Sequence, residues 1–228
     1  MKYEGELILA KLKERPNRFL GLIELDGKIT HCFIPNPGRM KELMIPGTNV
    51  YLIEKKGPHR KTDYDMKLVE MDGNLISVDS RLPNKIFAEA IIQNKLDHFR
   101  GYSITKTEPS FMDSRLDFLL KKRGEQALVE CKSCNLVEDG TALFPDAPTL
   151  RGARHMNTLT MALEQGRAGV VFIVQRDDAD IFSPFKDRDP EFAGAIKNAI
   201  EKGVETYAYT CNVDLLEIYI KDSIPVVM

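Results

Sequence analysis

The sequence predicts a mixed α/β protein, in which a small β-barrel precedes a domain built on a central mixed sheet flanked by helices. Up to residue 80, short apolar runs alternate with turn residues, whereas from Arg81 onward helical spacing alternates with strands. In the second part, Gly169 to Gln175 is a continuous apolar run, typical of a strand buried on both faces. We therefore expect two domains, 1–80 and 81–228.

Length and composition exclude several classes of protein. The chain has 228 residues, of which 43% are hydrophobic and 29% charged, with 15 Gly and 12 Pro, so disordered and collagen-like classes are excluded. Met1 to Lys11 contains acidic residues, and no apolar run is long enough to span a membrane, so we expect no membrane partner and a cytoplasmic location. The net charge of −2 means that any anion site must be local.

The cysteines indicate a reduced chain. Cys131 and Cys134 fit the C-x-x-C spacing of zinc and redox sites, but no second pair of cysteines accompanies them and the four histidines are scattered. We therefore expect neither a zinc site nor a redox site there.

Two Asp-Gly turns predict β-hairpins in the first domain. Asp26-Gly27 joins Leu22–Leu25 to Lys28–Thr30, and Asp72-Gly73-Asn74 joins two further apolar runs. Two more strands are predicted, at Gly5–Lys11 and Asn49–Ile53. Five or six short strands are the number found in a small barrel such as the OB-fold, with Pro35–Arg39 as a rigid loop.

The second domain is predicted to run helix, three strands, helix, strand, helix, strand. Asn84 is the expected cap of a first helix that extends to about Phe99. The other predicted elements are strands Tyr102–Thr107, Ser114–Leu120, Ala127–Ser133, Gly169–Gln175 and Val204–Thr210, and helices from about Leu150 to Leu163 and from Pro190 to Lys202.

Three charged residues stand out in apolar strands. Asp117 interrupts one strand, and Glu130 and Lys132 share a face of the next because side chains alternate along a strand. The intervening turn makes the two strands antiparallel neighbours, which can bring Asp117 and Glu130 onto one face.

This pattern points to phosphodiester hydrolysis. The two carboxylates and the backbone carbonyl of Cys131 could hold Mg²⁺ or Mn²⁺, with Glu89 on the preceding helix as a third carboxylate. Lys132 would orient the attacking water or offset charge on the phosphate. We expect Asp117, Glu130, Lys132 and Glu89 to be the catalytic residues.

Alternatives remain open at this level. The Asp and the Glu-x-Lys can form a cross-strand ion pair on a solvated face, although the order of elements is also the core order of PD-(D/E)xK nucleases. Near the helix that opens at Thr149, Arg151 and His155 could grip phosphate or only brace a neighbouring carboxylate.

Several runs closely resemble the sugar fermentation stimulation protein A family. They are Arg18–Leu20, Pro35–Met40, Arg115–Phe118, Val129–Leu136 and Phe144–His155. The resemblance implies an OB-like domain, a PD-(D/E)xK nuclease-like domain and DNA binding, without a settled enzyme activity. It places the site at Asp117, Glu130 and Lys132.

The resemblance also implies a nucleic-acid surface. Arg18, Arg39, Arg151 and His155 are the candidate DNA contacts, and Phe19, Phe33 and Tyr51 are either stacking partners or barrel core. A homodimer stays open. The leading hypothesis is a DNA-binding protein with a metal-dependent nuclease site. Its rivals are a non-catalytic DNA-binding regulator of sugar metabolism genes and a binder of sugars or sugar phosphates.

Overall fold

The computed structural model describes all 228 residues and begins with a closed barrel. The strands pair in the order β3-β2-β1-β4-β5-β6, and a β3–β5 contact between Phe33 and Asp65 closes the ring. Both predicted hairpins are confirmed, with Gly27 and Gly73 at positive φ. The strands are β1 Ile8–Asn17, β2 Leu20–Leu25, β3 Lys28–Phe33, β4 Asn49–Glu54, β5 Tyr64–Met71 and β6 Asn74–Ser77.

The rest of the chain forms a mixed α/β domain. Its helices are α1 Pro83–Ile92, α2 Leu150–Ala162 and α3 Pro190–Glu201. Its strands are β7 Ser103–Thr107, β8 Ser110–Phe111, β9 Ser114–Arg115, β10 Phe118–Lys122, β11 Glu125–Cys134, β12 Leu136–Glu138, β13 Thr141–Phe144, β14 Arg167–Val174, β15 Ile181–Pro184, β16 Glu205–Val213 and β17 Ile218–Ile224.

A six-stranded mixed sheet forms the centre of this domain, in the order β17-β16-β14-β11-β10-β7. The β11–β14 and β14–β16 pairs are parallel and the others antiparallel. Helix α1 packs on the face that carries Phe118 and Val129, and α2 and α3 pack on the face that carries Leu128 and Phe172. The predicted fold class, a small barrel followed by a sheet flanked by helices, is confirmed.

Helix α1 is shorter than the sequence predicts, because a left-handed residue ends it. Asn94 has φ 53°, its N–H donates to the Ile91 carbonyl, and the N–H of Lys95 donates to the Ala90 carbonyl, which satisfies the last turn. The predicted cap is also wrong: Leu82 occupies the cap position, and Asn84 lies inside the helix.

The strand predicted at Ser114–Leu120 is two strands. Ser114–Arg115 pairs with Ser110–Phe111, and the segment joins the central sheet only from Phe118. The small sheet of β12, β13 and β15 and the final strand β17 were not predicted. None of the helices is long and apolar enough to cross a membrane.

A buried polar joint connects the barrel to the central sheet. Ser77 donates from its backbone N–H to the Gln175 carbonyl and from its hydroxyl to the Gln175 side chain, both at 2.9 Å. The Asn135 amide donates to the Ser77 carbonyl and accepts from the Asn36 amide at 3.2 Å. These four side chains are all buried. Because buried polar groups are costly when unpaired, this polar joint favours one placement of the barrel.

The loop at Pro35–Arg39 is fixed against the second domain. The backbone N–H of Met40 donates to Asp146 Oδ2 at 2.6 Å. A Cβ on Gly38 would lie 2.9 Å from Asn36 Oδ1 and 3.0 Å from Asp146 Oδ2, so this close approach favours glycine. The loop therefore forms part of the boundary between the two domains.

We predict that Asn135→Ala lowers the free energy of unfolding by about 1–3 kcal/mol, because the buried Ser77 carbonyl loses this donor and one N–H of the Asn36 amide loses its acceptor. Urea denaturation measures the change. Asn198→Ala, on the exposed face of α3, is the matched control and should change it by less than about 0.5 kcal/mol. Equal effects of the two variants would contradict a stabilising role for the joint.

Candidate functional site

A cleft of about 380 Å³, which we call the carboxylate cleft, lies where the two domains meet. Pro37 lines it from the barrel loop, and Asp117, Glu130, Lys132 and Arg151 line it from the second domain. The structure thus brings together the three charged residues that the sequence singles out in apolar strands.

Strand register places Asp117 opposite Glu130. Phe118 pairs with Val129 in the antiparallel β10–β11 ladder, so the next positions outward are Asp117 and Glu130. The side chains of Phe118 and Val129 enter the core beneath α1. Because side chains alternate, Glu130 faces the α2 side of the sheet, where it meets His155, and Asp117, one residue before β10, lines the same cleft.

Both carboxylate oxygens of Asp117 accept hydrogen bonds. Oδ1 accepts from Asn84 Nδ2 at 2.7 Å, and Oδ2 accepts from the backbone N–H of Cys131 at 2.8 Å. Burial, together with the negative charge of Glu130, nevertheless raises the pKa of Asp117 above its ordinary value. The site therefore disfavours the ionised form of Asp117.

Glu130 is only 3% exposed, and its two oxygens differ. Oε1 accepts from Lys132 Nζ at 2.6 Å and is hydrogen-bonded to His155 Nδ1. Oε2 is buried without any partner. Burial acts to raise the pKa of Glu130, but the hydrogen bond from His155 and the charge of Lys132 outweigh it and lower that pKa.

His155 acts as a brace for Glu130. The Nε atom of Arg151 donates to His155 Nε2 at 3.3 Å, so Nδ1 carries the ring proton that is donated to Glu130. The structure does not place His155 on the surface as a predicted nucleic-acid contact, because only 1% of the residue is exposed. The alternative, bracing of a carboxylate, is what the structure shows. Arg151 itself is exposed and lines the cleft.

Glu89 does not join the predicted catalytic and metal-binding group. It lies in α1, which packs on the opposite face of the sheet, and its carboxylate is 2.7 Å from the amino group of Met1. Only the first turn of α1 reaches the site, through Asn84. A helix that carries Glu89 on the other face cannot supply a third carboxylate to Asp117 and Glu130.

Arg18 and Arg39 lie together on the barrel in what we call the basic cluster, which consists of Arg15, Arg18, Arg39 and Lys41. Arg15 holds this cluster in shape: its guanidinium donates to the carbonyls of Arg18 and Gly38 at 2.8 Å and also to that of Arg39. Arg18, Arg39 and Lys41 are exposed. Sequence reasoning missed Arg15, because nothing in its local sequence distinguishes it from other surface arginines.

The C-x-x-C pair does not form a site. Cys131 packs in the core beneath α1, whereas Cys134 packs in the core on the other side of the sheet. Burial raises the pKa of Cys134 to about 12. The two thiols point in opposite directions and stay protonated, so they cannot share a metal ion.

The donor set at the cleft suits a hard cation that keeps several waters. No group of three His, Cys, Asp or Glu side chains is arranged to hold a metal. Two carboxylates and a backbone carbonyl are available instead, and the buried, unpartnered Oε2 of Glu130 is a ready oxygen ligand. Mg²⁺ is commonly held by one or two carboxylates with water completing its shell, so these residues fit it.

The closed barrel and the mixed sheet define an OB-like domain joined to a restriction-endonuclease-like domain. The chain belongs to the sugar fermentation stimulation protein family. Residues 14–78 match the model described as the SfsA N-terminal OB domain, and residues 81–217 match the one described as the sugar fermentation stimulation protein RE domain.

Relatives match over nearly the whole chain. A sugar fermentation stimulation protein homolog of Acetivibrio thermocellus is 44% identical over 94% of this chain and 93% of its own. A homolog of Caldanaerobacter subterraneus is 41% identical over 100% of both. The solved structure of Pyrococcus furiosus SfsA in complex with Ca²⁺ is 35% identical, with a TM-score of 0.92 over 100% of this chain and 98% of that one.

When no metal is bound, substitutions that remove the charge of Asp117 and of Glu130 should shift Tm in opposite directions. The pKa of Asp117 is raised above its ordinary value of 3.8, so ionisation of Asp117 destabilises the fold as the pH rises above that value. We predict that Asp117→Asn raises Tm at neutral pH in EDTA and loses this advantage at acid pH.

The pKa of Glu130 is lowered, so its ionised form stabilises the fold above the ordinary glutamate pKa, and that contribution is lost as pH falls through the lowered value. We predict that Glu130→Gln lowers Tm at neutral pH and that the loss shrinks toward acid pH. Thermal unfolding from acid to neutral pH tests both variants. Shifts of the same sign in the two variants would contradict this electrostatic description.

Proposed function

We propose that this protein binds DNA and hydrolyses its phosphodiester bonds with a divalent cation, Mg²⁺ or Mn²⁺, at the cleft between its domains. One observation carries the proposal: Asp117 and Glu130 line the same cleft, with the amine of Lys132 2.6 Å from Glu130. Two carboxylates repel a phosphate unless a cation lies between them.

Support for the cation comes from the residues and from a relative. Asp117, Glu130 and the carbonyl of Cys131 would hold it, and the buried Oε2 of Glu130 lacks any other partner. The similar Pyrococcus furiosus structure is described as a complex with Ca²⁺, also a hard divalent cation. When bound, such an ion polarises a phosphate oxygen and acidifies a coordinated water.

The surrounding residues hold this arrangement in place. His155 fixes the orientation of Glu130, and Asn84 fixes that of Asp117. Lys132, with 13% of its side chain exposed, is positioned to orient a water or to offset charge that develops on the phosphate. Arg151 lines the same cleft and is exposed, so it can contact a phosphate directly.

The DNA surface that we propose extends from the cleft onto the barrel. A cavity of about 280 Å³ between the domains is lined by Arg18 and also by residues of the carboxylate cleft, Pro37 and Thr149 among them. Arg18 belongs in turn to the basic cluster. Basic groups beside acidic metal ligands give the backbone of DNA a continuous path, although the whole chain carries a net charge of −2.

A non-catalytic DNA-binding regulator of sugar metabolism genes is the second candidate. Two observations favour it: Lys132 and Glu130 already neutralise each other, and both oxygens of Asp117 accept hydrogen bonds. In such a protein the charged residues would hold the strands together, and DNA would be retained without cleavage.

We predict that Lys132→Ala reduces metal-dependent DNA cleavage by about 100-fold or more, because it removes the ammonium group beside the reacting phosphate. We expect the variant to bind DNA as wild type does. Labelled single-stranded and duplex DNA, incubated with Mg²⁺, Mn²⁺ or EDTA, gives the cleavage rate and the retained fraction together. Lys121→Ala, exposed on the neighbouring strand β10, is the control and should cleave at the wild-type rate. Retention of DNA by the wild type without cleavage under any metal would favour the regulator.

Arg39→Ala should weaken DNA binding for all sequences and reduce the slope of log affinity against log salt by about one, because one phosphate contact is lost. Lys28→Ala is the matched control, since Lys28 lies at the other end of the β2–β3 hairpin from Phe33 and the basic cluster. Fluorescence anisotropy across a salt series measures both slopes. An unchanged slope in Arg39→Ala would remove the basic cluster from the DNA surface.

A further inference from the structure

We infer that the barrel carries a stacking platform for an unpaired DNA base, formed by Phe19 and Phe33, and that the DNA substrate therefore contains a single-stranded segment. This inference rests on the proposed function, since it assigns the substrate class of the same cleft. The platform is defined here as these two rings.

The geometry of the two rings is that of a stacked pair. Their centroids are 6.2 Å apart and their planes differ by 20°, while Phe19 remains 48% exposed. The outer ring thus presents an aromatic surface to solvent. Tyr51, the third aromatic residue considered from the sequence, is half-buried and donates its hydroxyl hydrogen to Glu70, so it does not offer a free face in the same way.

Each ring has a cation near it, and the one beside Phe33, Arg81, is also paired with Asp65 and Asp79. Arg18 precedes Phe19 in the turn between β1 and β2 and belongs to the basic cluster. The guanidinium of Arg81 lies 5.8 Å from the centroid of the Phe33 ring. Exposed apolar residues elsewhere on the barrel, such as Leu9 and Ile29, are not aromatic. Aromatic rings interleaved with cations are the usual chemistry for holding single strands.

The platform is next to the carboxylate cleft. Arg81 lines that cleft as well as contacting Phe33. On the other side, the cavity that Arg18 lines shares four residues with the cleft, namely Pro37, Ser80, Phe144 and Thr149. A strand whose base rests on Phe19 can therefore place a neighbouring phosphate toward Asp117 and Glu130.

Only an unpaired base can use such a platform. In duplex DNA the faces of each base are covered by the adjacent pairs, so stacking on a protein ring requires a base that is single-stranded or turned out of the helix. Turns between barrel strands, including the one between the first two strands, are a common place for OB-folds to contact oligonucleotides. The residues thus favour single strands and junctions over uninterrupted duplex.

The first test compares Phe19→Ala with wild type, using a labelled oligothymidine and a labelled blunt duplex. Binding is measured in EDTA, which prevents cleavage, and again in Ca²⁺, a hard divalent cation that can lie between the carboxylates and the phosphate. We expect the variant to bind oligothymidine about tenfold or more weakly, because one base loses its stacking partner, and to bind duplex unchanged. Phe19→Tyr should restore most of the loss. Ile29→Ala, an exposed apolar residue on the same barrel, should behave as wild type.

A second measurement exploits the absence of Trp from the chain. Phe19→Trp places a single indole on the platform, and we expect oligothymidine to quench its emission at concentrations that match its binding, whereas duplex leaves it unchanged. This readout does not depend on whether Phe19→Ala alters stability. Emission that is insensitive to bound oligothymidine would overturn the platform.

The outcomes separate the two proposals. If wild type binds DNA and Phe19→Ala binds oligothymidine as tightly as wild type does, the platform is refuted and the proposed DNA binding stands. If wild type retains neither oligothymidine nor duplex, in EDTA or in Ca²⁺, the proposed function fails and the platform fails with it. Selective loss of single-strand binding in Phe19→Ala, with quenching in Phe19→Trp, supports both.

Discussion

The buried polar joint between the barrel and the central sheet determines where the functional groups lie. Ser77, Asn135, Gln175 and Asn36 satisfy one another across the boundary, and any other docking of the barrel would leave several of them unpaired in the interior. Because the joint and the contact from Met40 to Asp146 fix the loop that carries Pro37, the barrel forms one wall of the carboxylate cleft. The site belongs to both domains, even though its charged residues come from one.

Within that cleft, the two carboxylates have opposite electrostatic environments. Glu130 is stabilised as an anion by His155 and Lys132, whereas Asp117 is held in a place where its charge is disfavoured. A bound cation would offset the unfavourable charge of Asp117 without removing the interactions that stabilise Glu130. The fold tolerates the buried, unpartnered Oε2 of Glu130 because the other oxygen, Oε1, already has two hydrogen-bond partners.

Local sequence signals predicted much of the fold and the centre of the site. The Asp-Gly hairpins and most of the sheet strands follow from period-two alternation, and the same alternation places Glu130 and Lys132 on one face. The prediction for α1 failed at both ends, because the left-handed Asn94 ends the helix early, and Asn84 lies in the first turn, where its side chain donates to Asp117 instead of capping the helix. A local sequence pattern does not show which residue, distant in the chain, a side chain such as that of Asn84 will contact.

The sequence by itself determined that Asp117, Glu130 and Lys132 would meet, since one turn joins their strands and the pleat sets their face. Only the tertiary structure decided the rest. It put Glu89 behind the sheet with α1, buried His155 against Glu130, and gathered the basic cluster around Arg15. Apart from the short contact between Arg15 and Arg18, these outcomes join residues far apart in the chain, so they depend on how layers pack, which the spacing of residues along one strand or helix does not encode.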